Sequence, residues 1–314
     1  MTRSEGTRVA GSRGANARAT SDRRLQLFGA FLVVLSAAAI AVVPTLARLA
    51  YDGGSDTLTV ITSRSIVTAG ACFLVMAALG RPLIIRGSAV RVSLALGLLY
   101  AVHLYGLLGA VSYLPVNIVI LIFYLHPLMV GVIAILFGRE TMSWGTFGAL
   151  VAAIFGLGLA VGFSLGNLNW IGMALALTSA VLAAVVIIGG SHAMKSSDSL
   201  GVTCYMMLSA TAGLVAICII QGDLRLPATL RGWTGFGGVA IAYTIGTVAF
   251  FAAIPFLGAV RAAMISNLEP VLGILFAMAV LGEGVSLLQA MGIVLVLGSI
   301  FAMGAGRRPV AQSV

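Results

Sequence analysis

The sequence contains little charge for its length. Asp, Glu, Lys and Arg make up 9% of the 314 residues, whereas 60% of the residues are hydrophobic and the mean hydropathy is +1.12. Because a soluble domain has about 25% charged residues, the composition excludes a soluble globular protein. The sequence predicts an all-α integral membrane protein that has the lipid bilayer among its partners.

Cysteine and the motifs of metal chemistry are also scarce. The three cysteines, Cys72, Cys204 and Cys218, lie inside apolar runs, and no CxxC or HExxH motif occurs. This pattern fits neither a disulfide framework nor a zinc site. We expect no metal site and no cofactor.

The net charge of +9 does not indicate nucleic-acid binding, because the basic residues are spread over a tail and short loops. Residues 1–27 are polar and contain six arginines. We predict that they form a disordered cytoplasmic tail, that 307–314 form a second cytoplasmic tail, and that the protein has no nucleic-acid partner.

What the sequence does contain is a repeat, because a shift of 143 residues aligns the chain with itself without a gap. Glutamate occurs only four times and proline eight times, so matched pairs of both are hard to obtain by chance. We infer two copies of one unit. The matched pairs are Gly29 with Gly172, Ser36 with Ser179, Tyr100 with Tyr243, Leu114 with Leu257, Pro127 with Pro270, and Glu140 with Glu283.

Apolar runs of about 20 residues, long enough to cross the hydrocarbon of a bilayer, occur ten times. We predict ten transmembrane helices, with a first five-helix repeat over 28–164 and a second over 169–306. The runs are 28–47, 57–79, 90–110, 115–136, 144–163, 169–189, 200–220, 234–255, 260–281 and 286–305.

Because each repeat has an odd number of helices, the second repeat enters the membrane from the opposite face, and the repeats are predicted to be inverted. With the N-terminus inside, fourteen Lys and Arg residues lie on the cytoplasmic side, against Arg48, Arg225 and Arg231 outside. This bias predicts a multi-pass protein of the cytoplasmic membrane with both termini in the cytoplasm. Inverted repeats place a binding site near the midplane and suit alternating access.

Two of the predicted helices contain a proline near mid-span. Pro127 and Pro270 each lack a backbone donor, which frees the carbonyl one turn earlier, at Phe123 and Ser266. Inside a membrane such carbonyls need protein or a watery cavity around them. We interpret both prolines as kinks in cavity-lining helices; a kink that serves packing alone is the alternative.

Glu269 and His126 occupy equivalent positions of the two repeats, just before these prolines. A charged carboxylate inside a membrane is costly unless it is neutralised or paired, and the imidazole of histidine titrates near neutral pH. The two residues are candidates for proton coupling or for binding a cationic group. The alternative for Glu269 is a protonated side chain that only hydrogen-bonds a neighbouring helix.

Arg64 is the only basic residue well inside a span, and it is a candidate to hold a carboxylate or another anionic group of a substrate. Extension to the membrane surface, or an ion pair with Glu269, are the alternatives. Further candidates for the cavity lining are His103, Tyr100, Tyr124, Asn267 and Tyr243.

Glu140 and Glu283 end their predicted helices beside Gly138 and Gly282. We interpret both glutamates as residues of structural turns. A salt bridge at a gate is the alternative.

The segments LIFYLHPLMVGVIAILFGRE at 121–140 and ISNLEPVLGILFAMAVLGE at 265–283 resemble EamA-type members of the drug/metabolite transporter superfamily. The resemblance extends over 28–305. It implies a proton-linked or facilitative carrier, commonly an exporter of amino acids, related metabolites or toxic compounds. Similar proteins often have an arginine where Arg64 stands, but the tryptophan that they often carry in the first helix is absent from 41–45.

We therefore expect a secondary transporter that moves small molecules, and protons if transport is coupled, by alternating access. Export of metabolites or drug-like molecules, by a monomer or homodimer without enzymatic activity, is the expected function. A polytopic membrane enzyme and a non-transporting sensor are the alternatives. The sequence shows no aspartate pair or oriented nucleophile–base pair that would favour an enzyme.

Overall fold

The computed structural model describes residues 23–81, 85, 87–137, 144–161, 169–222, 224–281 and 286–305, and the regular structure in these ranges is entirely helical. Several predictions concern residues outside the described ranges. They are the tails at 1–22 and 307–314, the junction between the repeats at 162–168, and the turn glutamates Glu140 and Glu283.

The described residues form thirteen helices. We number them in chain order: α1 at 23–41, α2 at Val43–Asp52, α3 at Thr57–Ala78, α4 at Ser88–Val111, α5 at Val116–Phe123, α6 at His126–Leu136, α7 at Trp144–Val161, α8 at Trp170–Ala193, α9 at Ser199–Gln221, α10 at Leu230–Leu257, α11 at Ala259–Ile265, α12 at Leu268–Leu281 and α13 at Leu287–Ala305.

Eight helical segments of the described chain are long and apolar enough to cross a membrane, and Phe147–Leu159 and Leu287–Ile300 are shorter apolar helices. Large apolar side chains cover the outside of the bundle, as at Leu136 and Ile220, which are 76% and 84% exposed. Such a surface requires lipid around it. The protein is therefore a multi-pass membrane protein. The eight segments are Arg23–Asp52, Thr57–Ala78, Ser88–Val111, Ile118–Leu136, Trp170–Ala193, Ser199–Gln221, Leu230–Leu257 and Ala259–Phe276.

The first span differs from the predicted run at 28–47. Helical structure is already present at residues 23–27, which the sequence assigned to the disordered tail, and it continues to Asp52. A single turn residue, Val42, separates α1 from α2. Pro44 lies in the first turn of α2, where the missing backbone donor is tolerated.

The two halves pack in equivalent ways. α3 packs against α9 and α7 against α13, and each pair consists of helices one repeat apart. In the same way α4 packs against α9, while its counterpart α10 packs against α3. The described helices therefore contain two copies of one packing arrangement.

Close packing explains two of the matched pairs. A Cβ atom added to Gly172 would lie 2.7 Å from Cγ of Leu114, and one added to Gly29 would lie 3.0 Å from Cγ of Leu257. The two contacts are equivalent, since each residue of one lies 143 positions from its counterpart in the other. Glycine is needed at both positions because the neighbouring helix leaves no room for a side chain.

Polar contacts fasten both ends of the α3–α9 pair. Asp198 caps α9 by accepting a hydrogen bond from the backbone N–H of Gly201 at 3.1 Å, and it forms an ion pair with Arg81, just beyond the end of α3. At the other end the Ser55 hydroxyl, just before α3, donates to the carbonyl of Arg225, beyond the end of α9, at 2.7 Å. Each helix therefore starts where the other ends, and α3 and α9 run antiparallel.

Candidate functional site

Arg64 projects from α3 against an aromatic ring of the other half. Its Cζ atom lies 3.9 Å from the centre of the Tyr243 ring on α10, which is the geometry of a cation–π contact. The buried Nε atom has no hydrogen-bond partner among the described residues. The guanidinium lies against the Tyr243 ring, and no ion pair between Arg64 and another described residue is present. The alternative of an Arg64–Glu269 ion pair is therefore not observed.

Tyr100 and Tyr243 meet between the halves. Their hydroxyl groups are hydrogen-bonded to each other, although the residues are 143 positions apart and equivalent in the repeat. Equivalent residues of the two repeats are therefore in direct contact, and Arg64 lies beside this contact.

His103 and His126 form a stack with the ring of Phe123 between them. The ring centres of His103 and Phe123 are 5.3 Å apart, and those of Phe123 and His126 are 4.8 Å apart. The His103 ring also lies 5.5 Å from that of Tyr100. His103 is 3% exposed, and its Nδ1 atom has no hydrogen-bond partner among the described residues. The stack thus links the tyrosine pair to the first helix break.

The predicted kinks are present as breaks of two turn residues each. α5 ends at Phe123 and α6 begins at His126, while α11 ends at Ile265 and α12 begins at Leu268. The freed carbonyls are bonded inside the protein. His126 Nδ1 lies 3.1 Å from the Phe123 oxygen, to which it must donate, and the Glu269 N–H donates to the Ser266 oxygen at 2.9 Å. The two breaks can therefore bind a ligand through their side chains, but not through unpaired backbone carbonyls.

Glu269 is hydrogen-bonded across the interface between the halves. The Tyr124 hydroxyl, at the first break, donates to its carboxylate, and the charge of Arg64 also acts on it. Tyr124 is 5% exposed, and its ring centre lies 5.8 Å from that of His126. The carboxylate is thus surrounded by groups from the first half of the chain.

Asn267 lies in the second break, 3% exposed, and its Oδ1 atom has no hydrogen-bond partner among the described residues. All the site residues that the sequence predicted and the structure describes therefore lie at the two breaks or on the neighbouring helices α3, α4 and α10. We call these residues the central polar cluster: Arg64, Tyr100, His103, Tyr124, His126, Tyr243, Asn267 and Glu269.

Two residues of this site, Phe123 and Ser179, were not predicted to be site residues. Phe123 was noted only for its carbonyl, yet its ring joins both imidazoles. The Ser179 hydroxyl donates to the carbonyl of His103 at 3.1 Å and so fixes α4 against α8. The match of Ser179 with Ser36 was the signal for it, since a small polar residue repeated inside an apolar run often joins helices.

The cluster contains three buried polar atoms without partners: a donor on Arg64, an imidazole nitrogen on His103 and an acceptor on Asn267. Leaving such an atom unsatisfied costs about 1–3 kcal/mol. Such atoms are candidates to bind the polar groups of a solute. Among the described residues no group of three or more His, Cys, Asp or Glu could hold a metal ion.

Comparison with known proteins gives one family match and one structural match. A sequence model of the EamA-like transporter family matches residues 27–162 and again 170–305. A solved crystal structure is similar over 90% of this chain and 98% of the solved chain, with a TM-score of 0.73 and 18% identity, which shows the fold alone. No curated protein matches the sequence.

Proposed function

Because the chain belongs to the EamA-like transporter family, we propose that it is a secondary transporter that moves small metabolites or drug-like molecules across the cell membrane by alternating access. The family is one of membrane transporters, and the proposal assigns no enzymatic activity to the chain. Each half of the chain corresponds to one copy of the family unit.

The proposed architecture is ten transmembrane helices in two inverted five-helix repeats. The eight long apolar segments together with the shorter helices at Phe147–Leu159 and Leu287–Ile300 support this number. The antiparallel arrangement of α3 and α9, which are one repeat apart, supports inversion. The excess of Lys and Arg on one side supports cytoplasmic termini.

The observation that carries the proposal is the set of unpartnered buried atoms in the central polar cluster. Arg64 would hold an anionic group of the solute, and Asn267 Oδ1 would accept a hydrogen bond from a donor. The rings of Tyr100, Tyr243 and Phe123 offer apolar surface for the rest of the molecule. Amino acids and related compounds fit this combination, and so do drug-like molecules that carry both a donor and an anionic group.

Glu269 is the proposed proton carrier. Its carboxylate lies in a membrane-spanning segment and is held by the Tyr124 hydroxyl and the charge of Arg64. A cationic group of the solute beside Glu269 takes the place of the proton on its carboxyl group, so that solute and proton bind in alternation. Proton binding and solute binding are thereby linked. Export as the direction of transport follows the family resemblance.

The first test compares the solutes released by cells that express the wild type, Glu269→Gln or Asp52→Asn. Asp52 is an exposed carboxylate at the end of α2, so its variant undergoes the same chemical change outside the cluster. We expect one solute or solute class to accumulate outside cells with the wild type and Asp52→Asn, but not with Glu269→Gln.

Each contrary outcome removes a different part of the proposal. Equal release by all three proteins, above cells without the protein, would keep the carrier but reject Glu269 as the proton carrier. The absence of any difference from cells without the protein would reject export and favour a non-transporting sensor.

A further inference from the structure

A cavity lies at the ends of α6 and α10, which also carry members of the central polar cluster. It measures about 330 Å³ and is bounded by α6, α8, α10 and α11. Ala134 on α6 and Ala259 on α11 line it, each eight residues from a member of the cluster, His126 or Asn267. At 1.5 Å per residue the two sites are separated by about 12 Å along the helices.

Apolar side chains fill the space between this cavity and the central polar cluster. Val130 on α6 and Met264 on α11 are 0% and 1% exposed, and both belong to the largest apolar core of the molecule. Each lies between the cavity and the cluster along its own helix. The cavity is therefore a separate site with its own lining.

The polar part of the lining comes from the end of α8. Ser191 and Lys195 are four residues apart, so the hydroxyl and the ammonium group lie on the same side of the chain, one helical turn from each other. His192 lies beside them and is exposed. Lys195 is the only lysine in the whole sequence, whereas arginine occurs seventeen times.

The charge at this cavity is positive and uncompensated among the described residues. The lining contains Lys195 and His192 but no described acidic side chain. Asp198, three residues beyond Lys195, is already bound by Arg81 and by the Gly201 N–H. A cation near the end of a helix also interacts with the helix dipole, but that interaction does not require a cavity next to it.

The rest of the cavity lining is formed by apolar side chains and by backbone. Ile188 on α8 and Ile254 on α10 form one part of it, and Pro255 and Gly258 at the end of α10 form another. Gly258 has a φ of +80°, which turns the chain into α11 without a side chain in the cavity. The cavity can therefore hold a charged head with an apolar group attached.

We propose that this cavity is a binding site for an oxyanion, a phosphate or carboxylate group, that accepts hydrogen bonds from the Ser191 hydroxyl and the Lys195 ammonium group. The ligand reaches the cavity either as the headgroup of an anionic lipid or as a free anion from solution. This site is distinct from the proposed transport site, and its test requires no transport.

The test follows the acylation of Lys195 in the full-length protein, because an amine-selective reagent finds no other lysine. The reagent is N-hydroxysuccinimidyl acetate, and the rate is read by mass spectrometry on the peptide that contains Lys195. One arm compares sodium phosphate with sodium chloride at equal ionic strength in detergent. The other compares vesicles of phosphatidylcholine with vesicles that also contain phosphatidylglycerol.

Two variants serve as controls. Arg91→Lys places a second lysine on the exposed start of α4, at the same end of the bundle as Arg81 and Lys195 but not in the cavity lining. It reports any general effect of anions or anionic lipid on the reagent. Ser191→Ala removes the hydroxyl and is expected to weaken the protection of Lys195.

An anion that occupies the site slows acylation in proportion to 1 + [L]/Kd, so we expect at least about threefold slower labelling of Lys195 at saturating probe. Protection by phosphate in detergent would identify a free anion as a ligand. Protection only in vesicles with phosphatidylglycerol would identify the lipid headgroup. No protection in either arm, equal slowing of the introduced lysine, or full protection in Ser191→Ala would overturn the proposal.

Discussion

The two helix breaks have the same backbone design but different side chains. α6 and α12 both start shortly after the preceding helix ends, and each has a proline in its first turn. Yet Tyr124 of the first break corresponds to Asn267 of the second, and His126 corresponds to Glu269. The repeat therefore preserves the path of the chain, while the chemistry at the two breaks has diverged.

The helices beside the breaks differ in the same way. His103 on α4 corresponds to Gly246 on α10, where an added Cβ would lie 3.2 Å from the Ser36 carbonyl oxygen. Arg64 on α3 corresponds to Met207 on α9, which is 0% exposed. The first half therefore provides the arginine and both imidazoles of the cluster, and the second half provides the carboxylate.

This difference suits a solute that is itself asymmetric. A symmetric site would present the same charge from both halves, whereas this cluster presents a guanidinium from one half and a carboxyl group from the other. A solute with unlike ends would then bind in one orientation.

The largest effect is expected when Arg64 is replaced by methionine, which corresponds to Met207 in the other half. Arg64→Met removes the buried donor and the cation–π contact with Tyr243. Loss of one partner of a buried charge pair costs about 2–5 kcal/mol, so the half-saturating solute concentration should rise about thirtyfold or more. Transport assays in proteoliposomes over a range of solute concentrations measure it.

The control for this prediction is Arg91→Met, at the exposed start of α4. It should leave the half-saturating concentration unchanged. An equal rise in both variants would show that the effect of Arg64 is general and would remove it from the site.

A smaller effect, on the stability of the fold, is expected at Gly246, which corresponds to His103. Gly246→Ala places a Cβ against Ser36 and Ile40 of the first span, where no space is available. Overpacking of this kind costs about 1–3 kcal/mol, and the temperature of unfolding in detergent should fall. Gly70→Ala is the matched control, because nothing lies within 4 Å of a Cβ at that helical position. Equal unfolding temperatures for the two variants would contradict the difference in packing.

The smallest effect is expected from removing the side-chain interaction between Tyr124 of the first break and Glu269 beside the second break. Tyr124→Phe keeps the ring but removes the hydroxyl that donates to Glu269. A net loss of about 1 kcal/mol should reduce the transport rate about fivefold. Tyr113→Phe removes a hydroxyl from a tyrosine that is 47% exposed and should have no effect. A wild-type rate for Tyr124→Phe would show that the bond does not contribute to transport.

The backbone of the site could be predicted from the sequence, because proline acts locally. Pro127 and Pro270 remove a donor from any helix that contains them, and both breaks occur where this rule requires. Pro255 shows the limit of the rule. It lies inside α10, which continues to Leu257 without interruption, so the presence of a proline does not by itself predict a break.

The side-chain contacts of the site could not be predicted, because they depend on how helices from the two halves rotate and pack. The repeat aligned Tyr100 with Tyr243 but did not show that their hydroxyl groups meet. Glu269 was expected in the cavity, but its partner Tyr124 lies 145 residues earlier in the chain. The donor to the Phe123 carbonyl was equally hidden, since it is the ring of His126 and not a neighbouring helix.

The central claim is that the cluster couples solute movement to a proton at Glu269. The direct measurement is the internal pH of proteoliposomes, followed with a pH-sensitive dye, when the solute found in the release experiment is added outside. We predict a pH change with the wild type, a reduced change with His126→Gln and none with Glu269→Gln. Solute transport by the wild type without any pH change, or an undiminished change with Glu269→Gln, would contradict the claim.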